Sequence, residues 1–111
     1  MQARLTAYPP DAAAVTRWVA VAERLRIGRG HDCGLVIDHP SVSRAHAEFY
    51  FDDGWRLRDL GSKNGSFADG QAVQDSRLDE HCWLRFGDAH CELSVFDDAL
   101  AESMRERERD R

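Results

Sequence analysis

Three short stretches of the sequence are rich in hydrogen-bond donors. They are IGRG, which contains Arg29, SRAH, which contains Ser43, and GSKNGS, which contains Lys63 and Asn64. A guanidinium stays charged and offers a rigid fork of N–H donors, while hydroxyl, ammonium and amide groups add further donors. This combination suits a phosphorylated side chain, which carries about 1.5 to 2 negative charges and three strong acceptor oxygens near pH 7. The stretches therefore predict a site for a phosphate group.

The rest of the chain is acidic, so an anion has to be captured locally. The formal net charge of −5 disfavours general binding to nucleic acid or to a membrane surface. With 111 residues, 42% of them hydrophobic and 32% charged, the composition predicts one soluble globular domain. There is no long apolar run and no secretory signal pattern in MQARLTAYPP, so we expect a cytoplasmic location. Abundant Ala and a strong preference for Arg over Lys are compatible with a GC-rich bacterial genome.

Strands are predicted along most of the chain by short runs of two-residue alternation. The candidate strands are RLTAY, VTRWVAV, ERLRIGR, GLVID, HAEFYF, GWRLRDL, SFADG, HCWLRF and HCELSVF. The segments between them, such as PPD, GRGHDCG, DDG and GSKNG, are rich in Asp, Asn and Gly, which favour turns. The predicted fold class is therefore all-β, a sandwich of two antiparallel-rich sheets. Loops at one end of such a sandwich can bring the three donor-rich stretches together.

The alternation also predicts which side chains are buried. In HAEFYF, one face carries Ala47, Phe49 and Phe51, and the other carries His46, Glu48 and Tyr50, so the first set should be buried. The same reasoning predicts further core residues in the later strands, namely Trp55, Leu57, Cys82, Leu84, Phe86, Cys91, Leu93 and Val95. Residues 97–111 differ, because their acidic start and their Glu and Arg spacing predict a helix or a flexible, solvated tail.

The order and spacing of the motifs resemble the forkhead-associated (FHA) domain. The series I-G-R, S-R-A-H and D-L-G-S-K-N-G-S-F, followed by D-G, carries the resemblance, which covers roughly residues 4–96. We therefore expect an FHA domain over residues 1–96 and a C-terminal helical or flexible tail over 97–111. The resemblance implies a sandwich of about eleven strands that binds phosphothreonine in a partner protein through loops at one end. It is not a family of enzymes.

The resemblance also implies roles for the donor-rich residues. The phosphate would be bound by Arg29, Ser43, Arg44 and Lys63. Lys63 stands where many FHA domains have threonine or serine, so a mobile cation replaces a hydroxyl donor. Asn64 matches the position that holds the main chain of the bound peptide, a task suited to an amide that donates and accepts.

Other residues in the same stretches are predicted to shape the loops. Gly28 and Gly65 would allow close approach and a turn of the backbone, and His46 would support the loops through hydrogen bonds. His31 and Ser41 are candidates for contacts with the residues that flank the phosphothreonine.

A catalytic interpretation is weaker. Ser43, His46 and Asp59 could in principle serve as nucleophile, base and orienting group. However, no G-x-S-x-G or comparable nucleophile turn accompanies them, and GRGHDCG matches neither of the common nucleotide-binding glycine motifs. We therefore expect no enzymatic activity and no cofactor.

A metal site is also not expected. The pairs His81-Cys82 and His90-Cys91 alternate in strands, so each Cys should face inward and each His outward, and the four cannot converge on one ion. Three cysteines without a secretory signal predict buried, reduced thiols.

The expected partner is a protein or peptide that contains phosphothreonine and is a substrate of a Ser/Thr kinase. No nucleic acid or membrane partner is expected, and the chain should be a monomer or part of a larger multidomain protein. An alternative function is a phosphate-independent, FHA-like scaffold that contacts a partner through a face of the sandwich.

Overall fold

The structure is a computed structural model and describes residues 1–109 of the chain. Eleven strands are followed by one helix. The strands are β1 (Gln2–Tyr8), β2 (Val15–Ala20), β3 (Arg24–Gly28), β4 (Leu35–Val36), β5 (Ala47–Phe51), β6 (Trp55–Asp59), β7 (Ser66–Ala68), β8 (Gln71–Ala72), β9 (Asp75–Arg77), β10 (His81–Phe86) and β11 (Ala89–Phe96), and the helix is α1 (Asp98–Arg109).

The strands form two sheets, which confirms the predicted all-β sandwich. The six-stranded sheet has the order β2-β1-β11-β10-β7-β8, and the five-stranded sheet has the order β4-β3-β5-β6-β9. Adjacent strands are antiparallel except β3 and β4, which pair in parallel through Ile27 with Leu35 and Gly28 with Val36. The chain therefore turns back after β3, so that β4 runs beside β3 in the same direction at the edge of the sheet.

The core lies between the sheets, where the alternation predicted it. Phe49, Trp55 and Leu57 are fully or almost fully buried, as are Cys82, Leu84, Phe86, Cys91 and Leu93 in β10 and β11. Val95, also predicted to be buried, is only partly buried near the end of β11. Phe49 stacks on Trp55 with ring centroids 5.0 Å apart, and burial of each such side chain stabilises the fold by about 1.5 to 3 kcal/mol. Phe51 is only half-buried, because it packs at the margin of this cluster.

Two residues on the predicted outer face are nevertheless buried. Tyr50 does point away from the core, but the Arg24 guanidinium lies 4.2 Å from its ring centroid, and its hydroxyl donates to Asp75 Oδ1 at 2.7 Å. His46 is also buried, because it precedes the first residue of β5 and turns into the space between two loops. Strand alternation applies only within a strand, so it does not predict the exposure of His46.

All three cysteines are free and buried. Burial raises the pKa of the Cys82 thiol to about 12 and also raises the pKa of Cys91. The neighbouring residues His81 and His90 are exposed on the opposite face. Within residues 1–109 no group of three or more His, Cys, Asp or Glu side chains is placed to hold a metal ion.

Helix α1 lies against the outer face of the six-stranded sheet. Asp97 accepts a hydrogen bond from the Leu100 N–H at 2.8 Å and so caps the first turn. Ala101 is fully buried, and Glu108 accepts hydrogen bonds from the Trp18 indole N–H at 2.7 Å and from Arg4 at 3.3 Å. The segment is therefore packed on the sheet rather than solvated on all sides. None of the described residues forms a helix with the length and apolar character needed to cross a membrane.

The strand register brings the donor-rich loops to one end of the sandwich, here called the loop end. Ile27 near the end of β3 pairs with Ala47 at the start of β5, and Ala47 pairs with Asp59 at the end of β6. In the other sheet, Ser66 at the start of β7 pairs with Phe86 at the end of β10. The loops that follow β3, precede β5, connect β6 to β7 and connect β10 to β11 therefore meet.

Candidate functional site

Arg29 is held in place at the loop end by hydrogen bonds to the loop that precedes β5. Its backbone N–H donates to Ser43 O at 2.9 Å, and its side-chain Nε donates to Val42 O at 3.0 Å. The side chain is partly buried, and the Nε contact fixes the plane of the guanidinium while leaving both Nη groups available. This is the arrangement that a receptor for a bidentate oxyanion requires.

Gly28 allows these two loops to approach closely. A Cβ atom at this position would lie 2.2 Å from the carbonyl oxygen of Arg44 and 2.8 Å from its carbonyl carbon. Because both atoms belong to the backbone, a side chain at position 28 could be accommodated only by separating the loops. The predicted loop-shaping role of Gly28 is consistent with this geometry.

Ser43 connects the loop that precedes β5 to the loop between β6 and β7. Its Oγ accepts a hydrogen bond from the Lys63 backbone N–H at 3.1 Å, so the hydroxyl proton is free to donate to a ligand. Arg44 O accepts from the Gly30 N–H at 3.1 Å, while no hydrogen bond within residues 1–109 uses the Arg44 backbone N–H. The side chains of Arg44 and Lys63 are exposed. Donors from two loops thus flank the guanidinium of Arg29.

Asn64 lies next to this group, at the top of the loop between β6 and β7. Its Nδ2 donates to Ser41 O at 2.8 Å, which orients the amide and leaves Oδ1 and one N–H available. Gly65, which follows, has a φ of +85°, a conformation that side chains other than glycine adopt at a cost. The turn at Gly65 therefore explains how Asn64 is presented at the surface.

His46 is hydrogen-bonded to the loop that precedes β5 and to the loop between β6 and β7. Its Nδ1 accepts the Ser43 backbone N–H at 3.0 Å, and its Nε2 lies 2.8 Å from Gly65 O. These partners require the neutral ring with its proton on Nε2, since a backbone N–H can only donate and a carbonyl can only accept. The ring is fully buried and packs edge-on against Phe86. Both contacts suit the predicted loop-supporting role.

Asp59 organises the loop between β6 and β7 through its carboxylate. It accepts the backbone N–H groups of Gly61 and Ser62 at 3.0 Å, and the hydroxyls of Ser62 and Ser66 at 2.6 and 2.7 Å. Burial acts to raise its pKa, but the hydrogen bonds from Ser62 and Ser66 outweigh burial and hold the pKa below its usual value. The loop therefore depends on the ionised form of this residue.

The contacts of Asp59 and His46 do not form a catalytic relay. His46 Nδ1 is occupied by the backbone N–H of Ser43 and not by its hydroxyl, and the carboxylate of Asp59 is directed to serines and to backbone N–H groups. The chain of nucleophile, base and orienting carboxylate that acyl transfer needs is therefore not assembled by these three residues.

Replacement of Asp59 by asparagine should destabilise the protein in a pH-dependent manner. In the variant, an NH₂ group replaces one carboxylate oxygen, so the N–H or hydroxyl groups that donated to that oxygen lose their acceptor. This loss should cost about 1 kcal/mol of unfolding free energy at pH 7. Because the folded-state pKa is below the usual 3.8, wild type should keep this advantage above that pH and lose it as pH falls through the lowered pKa. Urea unfolding of both proteins at several pH values measures the difference, and an equal difference at acid and neutral pH would contradict the assignment.

Ser41, predicted to contact flanking residues, is tied into the loops on several sides. Its Oγ lies 2.7 Å from His39 Nδ1 and accepts the Asp88 N–H at 2.8 Å, and its carbonyl receives Asn64. A Cβ at Gly87 would lie 2.3 Å from this carbonyl oxygen. His39, Gly87 and Asp88 were not among the residues predicted from the sequence. The Gly-Asp turn between two alternating strands was the available signal for the last two.

His31 lies apart from this network, on the rim of a cleft beside Arg29. The cleft has a volume of about 450 Å³, and its lining includes both basic and acidic side chains. The lining residues are Arg29, Gly30, His31, Asp32, Asp38, Arg44 and Ala45. Arg29 and His31 therefore share one cleft.

The predicted site residues are therefore brought together. Arg29, Ser43, Lys63 and Asn64 belong to three loops that are linked by hydrogen bonds of 2.8 to 3.1 Å through the segment 41–43. These loops carry one guanidinium fixed through Nε, one hydroxyl with a free proton, and the exposed side chains of Arg44 and Lys63, in a protein of net charge −5. Such a group can bind a dianion of the size of phosphate.

Comparison with known proteins supports the resemblance found in the sequence. The FHA domain family matches residues 25–87, more than half of the chain. The chain is similar to an FHA domain solved in a structural and functional analysis of phosphothreonine-dependent FHA domain interactions. The two share 26% identity over 87% of this chain and 99% of that one, with a TM-score of 0.77.

Two further solved structures are similar over most of the chain. The FhaA FHA domain, complexed with the intracellular domain of Rv3910, is 27% identical over 82% of this chain and 98% of that one, with a TM-score of 0.72. Mycobacterium tuberculosis EmbR, in complex with a low-affinity phosphopeptide, is 25% identical over 85% of this chain but only 24% of its own length, with a TM-score of 0.70. A comparison with curated proteins gives no match. The match to the family and the shared sandwich show that this chain belongs to the FHA domain family.

Proposed function

We propose that this protein binds phosphothreonine in partner proteins at the loop end of the sandwich. The observation that carries the proposal is the hydrogen-bonded arrangement of Arg29, whose Nε is fixed on Val42 O while both Nη groups are available. A guanidinium held in this way has little conformational entropy left to lose when it binds phosphate. The FHA domains of similar fold include one studied for phosphothreonine-dependent interactions and one bound to a phosphopeptide.

Each residue of the group would have a distinct task. Arg29 would form the charge-assisted hydrogen bonds to two phosphate oxygens, and the hydroxyl of Ser43 and the backbone N–H of Arg44 would donate to the others. Lys63 would add attraction without fixed geometry, since an ammonium on a flexible stem behaves as a point charge. Asn64 Oδ1 and its free N–H would bind the main chain of the peptide whatever its sequence.

The partner would be a substrate of a Ser/Thr kinase, and the domain would act as a non-enzymatic adaptor in the cytoplasm of a bacterium, alone or as part of a longer protein. Residues that flank the phosphothreonine would contact the cleft beside His31. The free donors at the loop end favour this function over a scaffold that ignores phosphate, because unpaired donors add nothing to a purely structural face.

Binding should depend on pH and on ionic strength. Phosphate loses its second charge as pH falls through about 6, so affinity for a phosphothreonine peptide should decrease over that interval. Added salt should weaken binding further, because Lys63 and Arg44 are exposed and their attraction is screened. Isothermal titration at pH 5.5 and 7.5, each at two salt concentrations, measures both effects. If the affinity changed with neither pH nor salt concentration, the protein would not recognise the phosphate group.

The function itself is tested with an oriented phosphothreonine peptide library and an unphosphorylated copy of the same library. We expect selective retention of phosphorylated peptides, with a residue preference at positions that reach the cleft beside His31. Phosphoserine versions should bind less tightly by about 1 kcal/mol, the approximate value of one lost methyl contact. Equal retention of the two libraries would support the scaffold function instead.

A further inference from the structure

The outer face of the six-stranded sheet is only partly covered by helix α1. The helix lies over the half that contains Arg4 and Trp18, while the other half exposes Tyr8 and Trp83, 43% and 48% accessible. The rings of Tyr8 and Trp83 contact each other with centroids 5.9 Å apart. Tyr8 and Trp83 thus form an exposed aromatic pair on the half of the face that the helix leaves open. Aromatic side chains are enriched at protein–protein interfaces, so this pair marks a candidate binding surface.

Two carboxylates flank the exposed indole. Glu92 is the cross-strand partner of Trp83, so both side chains stand on the same face of the sheet. Asp69, in the turn between β7 and β8, accepts the Trp83 backbone N–H at 3.0 Å through Oδ1, which leaves Oδ2 available. A groove of about 200 Å³ runs along these residues, with His81 and Ser94 on its other side. We call Trp83, Asp69 and Glu92, with Tyr8 beside them, the indole-carboxylate surface.

No basic side chain of residues 1–109 forms an ion pair with Asp69 or Glu92. Two arginines on this face, Arg4 and Arg85, contact other groups. Arg4 pairs with Glu108 and lies 5.1 Å from the Phe96 ring centroid, and Arg85 donates to Gly87 O and lies 4.0 Å from the Phe67 ring centroid. The surface therefore offers two carboxylates that are not ion-paired within residues 1–109, beside an exposed indole.

We propose that the indole-carboxylate surface binds a basic segment of a partner protein, with an arginine or lysine side chain placed over Trp83 between Asp69 and Glu92. Tryptophan is the aromatic side chain that attracts cations most strongly, and the adjacent carboxylates reinforce the attraction. The two carboxylates favour a cation over phosphate or nucleic acid, and the surface lies on the sheet face and not among the loops that carry Arg29 and Ser43. The inference does not depend on phosphothreonine binding.

The test is an NMR titration with an unphosphorylated peptide. The probe is an acetylated, amidated peptide of alternating glycine and arginine, and the control probe has glutamine in place of arginine. We expect a saturable shift of the Trp83 indole N–H resonance with the arginine peptide and none with the glutamine peptide. The peptide carries no phosphate, so the result is independent of Arg29 and Ser43.

Matched variants distinguish specific binding at the indole-carboxylate surface from general attraction to an acidic protein. The double variant Asp69→Asn with Glu92→Gln removes both charges but keeps one acceptor oxygen at each position, so residue 69 can still accept the Trp83 N–H. Asparagine also suits the φ of +46° at position 69. We expect this variant to bind the arginine peptide at least about fivefold more weakly. The control Asp52→Asn with Glu80→Gln changes the net charge equally at exposed positions elsewhere and should leave the affinity unchanged.

Three results would overturn the proposal. They are an equal loss of affinity in the two double variants, the absence of any Trp83 shift at millimolar peptide, and self-association of the protein that Trp83→Thr abolishes in sedimentation. The last result would mean that a second copy of this chain occupies the surface.

Discussion

Replacement of Arg29 by alanine is expected to weaken binding of a phosphothreonine peptide by about 2 kcal/mol or more, which is roughly thirtyfold in affinity. The variant loses the charged donor that faces the phosphate, while the remaining cations, Arg44 and Lys63, are exposed and mobile. Isothermal titration of the variant and the wild type measures the change. Equal affinities would contradict the role of Arg29.

The Arg29→Ala variant should remain folded, because its side chain makes one protein hydrogen bond, from Nε to Val42 O. A lysine at position 29 keeps the charge but loses the planar fork, so its affinity should fall between those of alanine and arginine. Arg24→Ala is the matched control, since it removes the same charge at the opposite end of β3, where Arg24 pairs with Glu48. The control should bind like the wild type.

The second large effect is expected for Gly28→Ala. The new Cβ would lie 2.2 Å from the backbone oxygen of Arg44, so the loops that carry Arg29 and Ser43 must move apart. Overpacking of this kind costs about 1 to 3 kcal/mol, and we expect a loss of about 2 kcal/mol in unfolding free energy. We also expect phosphopeptide affinity to fall by at least about tenfold, because the donors no longer converge. Urea unfolding and titration of the same preparation measure both quantities.

Gly70→Ala distinguishes local crowding from the general cost of losing a glycine. Gly70 has a φ of +83°, and a Cβ there would meet no atom within 4 Å. This variant should lose about 1 to 2 kcal/mol of stability from backbone strain and keep its full affinity for the peptide. If Gly28→Ala retained wild-type affinity while Gly70→Ala did not, the close approach at Gly28 would be irrelevant to the site.

The elements that the sequence predicted well are those with strong alternation. β5, β6, β10 and β11 each bury apolar side chains at every second position, and the two-residue period is an unambiguous signal for a half-buried strand. β8 and β9 were missed because they are short edge strands without large apolar residues, Gln71–Ala72 and Asp75–Arg77. Their pairing depends on neighbouring strands, which local pattern does not describe.

The type of ligand could be predicted from the sequence, because each type of side chain binds only certain chemical groups. The donor types of Arg29 and Ser43 indicated an anion, and the resemblance implied that Asn64 holds a peptide main chain. The structure brings the three residues together. The bonds that hold them were not predictable. Ser41, for example, was a candidate for contacts with residues that flank the phosphothreonine. Its hydrogen bonds with Asp88 and Asn64 could not be predicted, because these partners are distant in sequence.

Helix α1 illustrates the same limit. Its existence was one of two predicted outcomes, since the Glu and Arg spacing suits a helix. Its packing on the sheet depends on Trp18 and Arg4, which lie about ninety residues or more earlier in the chain and meet Glu108 only in the folded protein. Local charge patterns predict a helix but not the surface that it covers.

The most direct test of phosphothreonine binding at the loop end is a structure of the protein with a phosphothreonine peptide. The proposed function predicts that the phosphate lies at the loop end, with its oxygens within hydrogen-bond distance of the Arg29 guanidinium and the Ser43 hydroxyl, and with Asn64 bonded to the peptide main chain. A phosphate bound on another face, with these three side chains facing solvent, would contradict it.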